Sequence, residues 1–153
     1  MNLVRAAGLV AIAVTTATTA NAQFAKPEDA IRYRQSAMFI MAQNVGRLGA
    51  MAQGRVPFDA KAATEAAATV EFMSRLPWAA FAEGTDKGAP NRAKPDIWAD
   101  KAKFNEYSEK LQAETAKLST AAKTGSLDNI KAALGGVGGT CKSCHDSFQA
   151  PSR

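Results

Sequence analysis

The residues with the most chemistry to offer are Cys141-Lys142-Ser143-Cys144-His145, close to the C-terminus. These are the only two cysteines and the only histidine in 153 residues. A tetrahedral zinc site needs four protein ligands, or three plus water, and this group exhausts the chain's cysteine and histidine. A thioredoxin-like redox pair sits at the start of a helix after a strand, whereas this pair falls at the end of a helical pattern. A disulfide between residues three apart closes a tiny loop and gains little. The remaining reading is C-x-x-C-H, the attachment sequence of c-type haem. Residues three apart share a helix face, so both thiols can add to the two vinyl groups on one porphyrin edge. His145 lies four residues beyond Cys141 on the same side, within reach of the iron as its proximal ligand. The sequence therefore predicts one covalently attached haem c, on Cys141 and Cys144, with His145 on the iron. With no second histidine, bis-histidine coordination is excluded; the opposite axial position belongs to a methionine, another weaker ligand, or nothing.

The elements that must position this group read as helices. Alanine is abundant, aromatics are few, and no stretch alternates apolar and polar residues long enough for a sheet. The first segment opens at Pro27-Glu28-Asp29, with proline in a tolerated first-turn position and acids complementing the helix dipole, and runs to about Gln53. Its core-facing seam is Ile31, Arg34, Met38, Met41, Val45, Leu48 and Ala52. Asp59 caps a second helix through Ala63, Ala66, Val70 and Met73, stopped by Pro77. A long connection, Pro77 to Lys94, follows. Pro95 opens a third helix, buried through Trp98, Phe104, Leu111 and Leu118, that ends before Gly125. Ser126 caps the fourth, whose apolar or cysteine positions Leu127, Ile130, Leu134, Val137, Cys141, Cys144 and Phe148 alternate three and four apart. The expected fold is all-α, an antiparallel four-helix bundle with the haem in its core. Gly135, Gly136, Gly138 and Gly139 weaken the last helix by roughly 1 kcal/mol each against alanine. They allow either the close approach of a flat ligand or a kink.

The N-terminus reads differently. Arg5, an apolar run from Ala6 to Val14 and small residues ending Ala20-Asn21-Ala22 form a secretory signal peptide, cleaved after Ala22. The run is far short of the roughly 20 residues that span a bilayer, so no stable membrane insertion is expected. The domain then comprises residues 23–153, enough for one core. Export puts it where thiols are normally oxidised, so two nearby free thiols need an explanation such as thioether bonds. The whole chain carries a net charge of +5, dispersed along its length, which does not argue for nucleic-acid binding.

Arg34 stands out, because it occupies a seam position that should be apolar, and an unpaired core arginine is costly. Its partner is either an acidic residue such as Glu71 or Asp128, or a haem propionate with Gln35 beside it as a second donor. Met38 follows one turn later on the same seam, where a side chain would face the iron if Arg34 holds the haem's polar edge. Met41, Met51 and Met73 read as core filler.

The segments QFAKPEDAIRYRQSA from residue 23, PFDA at 57–60, LPWAAF at 76–81, KPDIW at 94–98 and GGTCKSCHDSF near the end resemble the cytochrome c prime family, the class II c-type cytochromes. The resemblance spans essentially everything after the leader. It implies a periplasmic four-helix bundle, usually a homodimer, with haem on Cys141, Cys144 and His145. It also implies that Arg34 and Gln35 face the propionates and Met38 the distal side of the iron. Typical members have five-coordinate iron, a bulky non-coordinating distal side chain, and bind nitric oxide or carbon monoxide. In low-spin relatives a distal methionine completes six-coordination, and the protein exchanges electrons with redox partners. The Arg34-Gln35 pair and its surroundings favour the gas-binding branch for this chain, with His145/Met38 electron transfer as the alternative. Catalysis is not expected, since no histidine remains as a distal acid or base. Gln149 departs from the pattern, because members often carry a basic residue four positions after the ligating histidine.

Overall fold

The computed structural model describes residues 23–151; the leader expected over residues 1–22 lies outside them. Five α-helices follow in order: α1 (Pro27–Ala52), α2 (Ala60–Met73), α3 (Asp96–Ala99), α4 (Lys101–Lys123) and α5 (Leu127–Phe148). The four long ones form the bundle. Helix α1 packs against α2 and α5, and α4 packs against the same two, so the order around the bundle is α1, α2, α4, α5. Short connections after α1 and α4 make α1–α2 and α4–α5 antiparallel hairpins.

The caps fall where the sequence puts them. Pro27 stands in the first turn of α1, ahead of Glu28 and Asp29. The Asp59 carboxylate accepts from the amide of Ala62, and the Ser126 hydroxyl accepts from that of Asn129. Gly125, at φ 68°, turns the chain between α4 and α5 in a conformation that costs other residues more.

The third helix departs from expectation. It is interrupted at Asp100, whose backbone is non-helical (φ −121°, ψ 66°) and whose carboxylate caps α4 by accepting from the amide of Lys103 at 3.1 Å. An aspartate that can satisfy a free amide competes with helix continuation, and here it wins. The four-residue α3 instead sits across the end of the bundle, with Ile97 buried and Trp98 half-buried. The Trp98 indole N–H donates to the carbonyls of Phe81 and Ala82, each at 3.0 Å, pinning the long connection.

The main core is aliphatic: Leu48, Val70, Leu118, Ile130 and Val137 are fully enclosed, between alanines of α2. Each large side chain buried in this way stabilises the fold by about 1.5–3 kcal/mol. The seam of α1 is buried at Ile31, Arg34, Met41 and Leu48 and half-buried at Met38 and Val45. Met41 and Met51 are core residues, and Met73 packs against them from the edge. One buried hydrogen bond crosses the core, from the Thr115 hydroxyl to that of Ser74 at 3.0 Å, tying α4 to the end of α2.

A second core, at the α3 end, is aromatic. Phe104 meets Phe148, Phe81 and Trp78 edge-on at centroid distances of 5.3, 4.9 and 5.5 Å, and Tyr107 meets Phe148 at 5.9 Å. Such pairs contribute about 0.5–1.5 kcal/mol each beyond their buried area.

Helix α5 runs unbroken through its four glycines. A Cβ on Gly136 would strike the carboxylate of Glu114 on α4, whereas Cβ atoms on Gly135, Gly138 and Gly139 would meet nothing. Gly136 therefore lets another helix approach, and neither a kink nor a break occurs.

Candidate haem site

Between α1, α4, α5 and the connection from Trp78 to Ala93 lies a cavity of about 1330 Å³. It exceeds the roughly 300–1,000 Å³ of ordinary small-molecule sites. Its walls are mainly apolar and include Met41, Ala42, Val45, Trp78, Phe81, Ile97, Phe104, Leu111 and Phe148. All six residues singled out from the sequence line it: Arg34, Gln35 and Met38 from α1, and Cys141, Cys144 and His145 from α5.

The last turns of α5 put both cysteines on the cavity side, each half-buried and neither in a disulfide. Cys141 packs against the aliphatic core and Cys144 against the aromatic one. Burial raises the pKa of both thiols. Cys144 is pushed up to about 11, chiefly by burial and secondarily by its neighbour Cys141. Redox-active and zinc-binding cysteines require thiolates at neutral pH. Burial thus holds both thiols toward the protonated form, unlike a redox-active cysteine. Among the described residues no cluster of three or more His, Cys, Asp and Glu side chains stands ready for a metal.

His145 keeps much of its surface exposed, but the part set into the cavity makes protonation harder. The charge of Arg92 adds to this effect, and Asp146 opposes it. The imidazole is thereby held toward the neutral form that ligates metals.

Opposite, Arg34 is 3 % exposed. Neither acid proposed as its partner reaches it: Glu71 pairs with Arg75 at 2.9 Å, and Asp128 with Lys131 at 3.6 Å. Each has a basic residue three or four positions further along the chain, about one helical turn away, which captures it. Arg34 instead holds the connection above it. One terminal nitrogen donates to the carbonyl of Ala80 and the hydroxyl of Thr85, both at 2.9 Å. The other donates to the Thr85 carbonyl at 2.8 Å and to Asn91 Oδ1 at 3.5 Å. Its guanidinium lies 4.3 Å from the centre of the Phe81 ring. Gln35, exposed beside it, donates from Nε2 to the Pro90 carbonyl at 2.9 Å. An arginine whose two terminal nitrogens are both hydrogen-bonded over an aromatic face, with Asp86 close enough to act on its charge, repays much of its desolvation without a direct ion pair.

Sequence reasoning missed the rim made by the chain at 92–94. The Lys94 amide donates to Phe148 O at 3.0 Å, the Ala150 amide to Arg92 O at 2.8 Å, and Ala93 bridges to Gln149. This short antiparallel pairing fixes the chain just past α5 and brings Arg92 into the cavity wall. Nothing local in the sequence signals it, because both segments are irregular and far apart. Gln149, the departure noted above, serves here as a backbone pairing position.

A flat, largely apolar group with an anionic edge fits these walls: apolar side chains on both sides, two thiols one turn apart, one imidazole, and arginines at the rim.

The comparisons with known proteins agree. The family Cytochrome C' matches residues 29–149. Cytochrome c' of Rubrivivax gelatinosus is 53% identical over 127 residues, 83% of this chain and 98% of that protein. The crystal structure of the Rubrivivax gelatinosus protein superposes with a TM-score of 0.81, covering 84% of this chain and 100% of its own. The nitric oxide complex of a mutant cytochrome c prime from Alcaligenes xylosoxidans is 43% identical, with a TM-score of 0.79 over 85% of this chain. Matched in sequence from α1 to the end of α5 and in fold over the same span, the chain belongs to the cytochrome c' family of four-helix proteins that carry covalently attached haem c.

Proposed function

We propose that this protein binds small gases, nitric oxide and carbon monoxide, at a haem held by thioether bonds from Cys141 and Cys144. His145 is the proximal iron ligand. The observation that carries the reading is the convergence of these three residues with Met38 on one apolar cavity, in a chain with one histidine. A haem bound here would supply iron able to take a diatomic ligand, and the residues around it would decide what reaches the metal. Met38, half-buried on α1, crowds the distal side and favours small diatomic ligands over larger ones. Phe81 and Trp78 add apolar wall to the same cavity. Arg34 and Gln35 stand on the propionate side and hold the connection that covers it. The nitric oxide complex of the Alcaligenes relative supports the same class of ligand here.

A second reading is electron transfer through iron ligated by both His145 and Met38, favoured by the thioether lying in the cavity wall. Absorption and EPR spectra of the purified protein separate the two. High-spin iron that takes up nitric oxide supports gas binding, and pure low-spin iron refutes it. Neither reading is enzymatic, because the cavity has no second histidine to move protons.

Two further parts of the reading concern context. The leader at residues 1–22 assigns the protein to the periplasm, and no helix among the described residues is long and apolar enough to cross a membrane. A second copy of the chain is the partner we assign to the outer face of α1 and α2. Phe39 (63% exposed) and Phe72 (61% exposed) stand there at nearly the same height above the α1–α2 connection.

A further inference from the structure

Two arginines line the cavity, and they differ in what they have left to give. Arg34 is saturated: both terminal nitrogens are engaged with Ala80, Thr85 and Asn91, and only its Nε remains. Arg92 is the reverse. Among the described residues its one hydrogen bond runs from Nε to the carbonyl of Ala150 at 2.7 Å, and it forms no ion pair. Its two terminal nitrogens, four N–H donors in a planar fork, are uncommitted.

Contacts on both sides fix the backbone that carries that fork. The Gln35 side chain holds the carbonyl of Pro90, Arg34 reaches Asn91, and the pairing with Phe148–Ala150 clamps Arg92 from the other side. Arg92 therefore belongs to the rim that Gln35 marks, on a backbone tied to both α1 and the end of α5.

Resting on the haem reading above, we infer that Arg92 is the ion-pair partner of a haem propionate, through its terminal nitrogens, while Arg34 chiefly positions the connection that carries Arg92. A carboxylate set against an apolar cavity needs a charge-assisted partner, and an arginine fork offers two parallel hydrogen bonds. A cation paired with the edge of a haem bound here would favour the reduced iron, which carries one positive charge less.

The test uses the holoprotein and three variants. In Arg92→Gln, the ferric-to-ferrous ratio at a fixed applied potential near the midpoint should rise several-fold. Arg92→Lys, which loses the Nε bond to Ala150 but keeps the charge, should stay close to the parent. Arg34→Gln should lose thermal stability with a smaller change in that ratio. A crystal structure of the parent should place an Arg92 terminal nitrogen within hydrogen-bond distance of a propionate oxygen. An unchanged ratio in Arg92→Gln overturns the inference, as does equal behaviour of the Gln and Lys variants. A crystal structure with Arg92 turned away from both propionates overturns it as well. A protein that fails a pyridine haemochrome assay contradicts the haem reading itself, a result distinct from haem present and Arg92 indifferent.

Discussion

Arg34 and Thr85, fifty-one residues apart in sequence, meet through two hydrogen bonds: one guanidinium nitrogen of Arg34 donates to the Thr85 hydroxyl and the other to its carbonyl. Both residues are buried, whereas the other anchors of the connection from Phe81 to Asn91, from Gln35, Trp98 and Lys101, are made at more exposed positions. Charge on α1 thus does for the loop what a hydrophobic seam residue does for a helix.

Removal of that anchor is expensive. Arg34→Met leaves the carbonyls of Ala80 and Thr85 without their donor, each a buried group whose unmade bond costs about 1–3 kcal/mol. The expected loss over the two carbonyls is about 2–6 kcal/mol. Urea unfolding of the holoprotein checks it, and a loss below about 1 kcal/mol would contradict the staple role.

Most of the bundle was legible in the sequence because it rests on local rules. The caps at Asp59 and Ser126, the proline at the start of α1 and the three-four spacing on α5 act within one or two helical turns. Cys141, Cys144 and His145 were legible for the same reason, since their geometry is one helix face. Residues 92–94 were not, because their structure comes from pairing with residues 148–150, which no periodicity announces. Arg34 falls between: the sequence marked it as anomalous, but its partners are carbonyls, which every residue owns and no sequence displays. The break at Asp100 was hidden because its carboxylate suits both a helix surface and a cap.

On the proposed reading, Met38 decides the coordination state. With five-coordinate iron, Met38→Ala should leave the spin state unchanged and tighten carbon monoxide binding by about tenfold, equivalent to ~1.4 kcal/mol. With Met38 as a ligand, the same substitution should convert low-spin iron to high-spin. EPR of the ferric protein and gas titration of the ferrous protein read the two outcomes, and unaltered gas affinity would remove Met38 from the distal wall.

The outer face of α1–α2 gives a prediction about assembly. Replacement of Phe39 and Phe72 by lysine places charge on a face that a second copy would bury. Sedimentation equilibrium should then report a monomer where the parent is a dimer. A dimer that survives both substitutions places the contact elsewhere.

The glycines of α5 separate helix propensity from packing. Gly138 faces open space, so Gly138→Ala should stabilise the protein by about 0.5–1 kcal/mol, the cost of glycine in a helix. Gly136→Ala gains the same propensity but drives its methyl into the Glu114 carboxylate, which must swing aside and give up Lys117, its partner at 2.7 Å. That ion pair is mostly exposed on the lysine side and its loss costs little, up to about 1 kcal/mol. The net effect of Gly136→Ala should therefore lie near zero. Gly136→Val, with two methyls in the same space and a β-branched clash on the helix, should cost about 1–3 kcal/mol. Truncating the obstacle restores the gain: Gly136→Ala with Glu114→Ala should exceed Glu114→Ala alone by about 1 kcal/mol. A double-mutant cycle in urea measures this coupling directly. Additive effects would mean that Glu114 is not what holds position 136 to glycine.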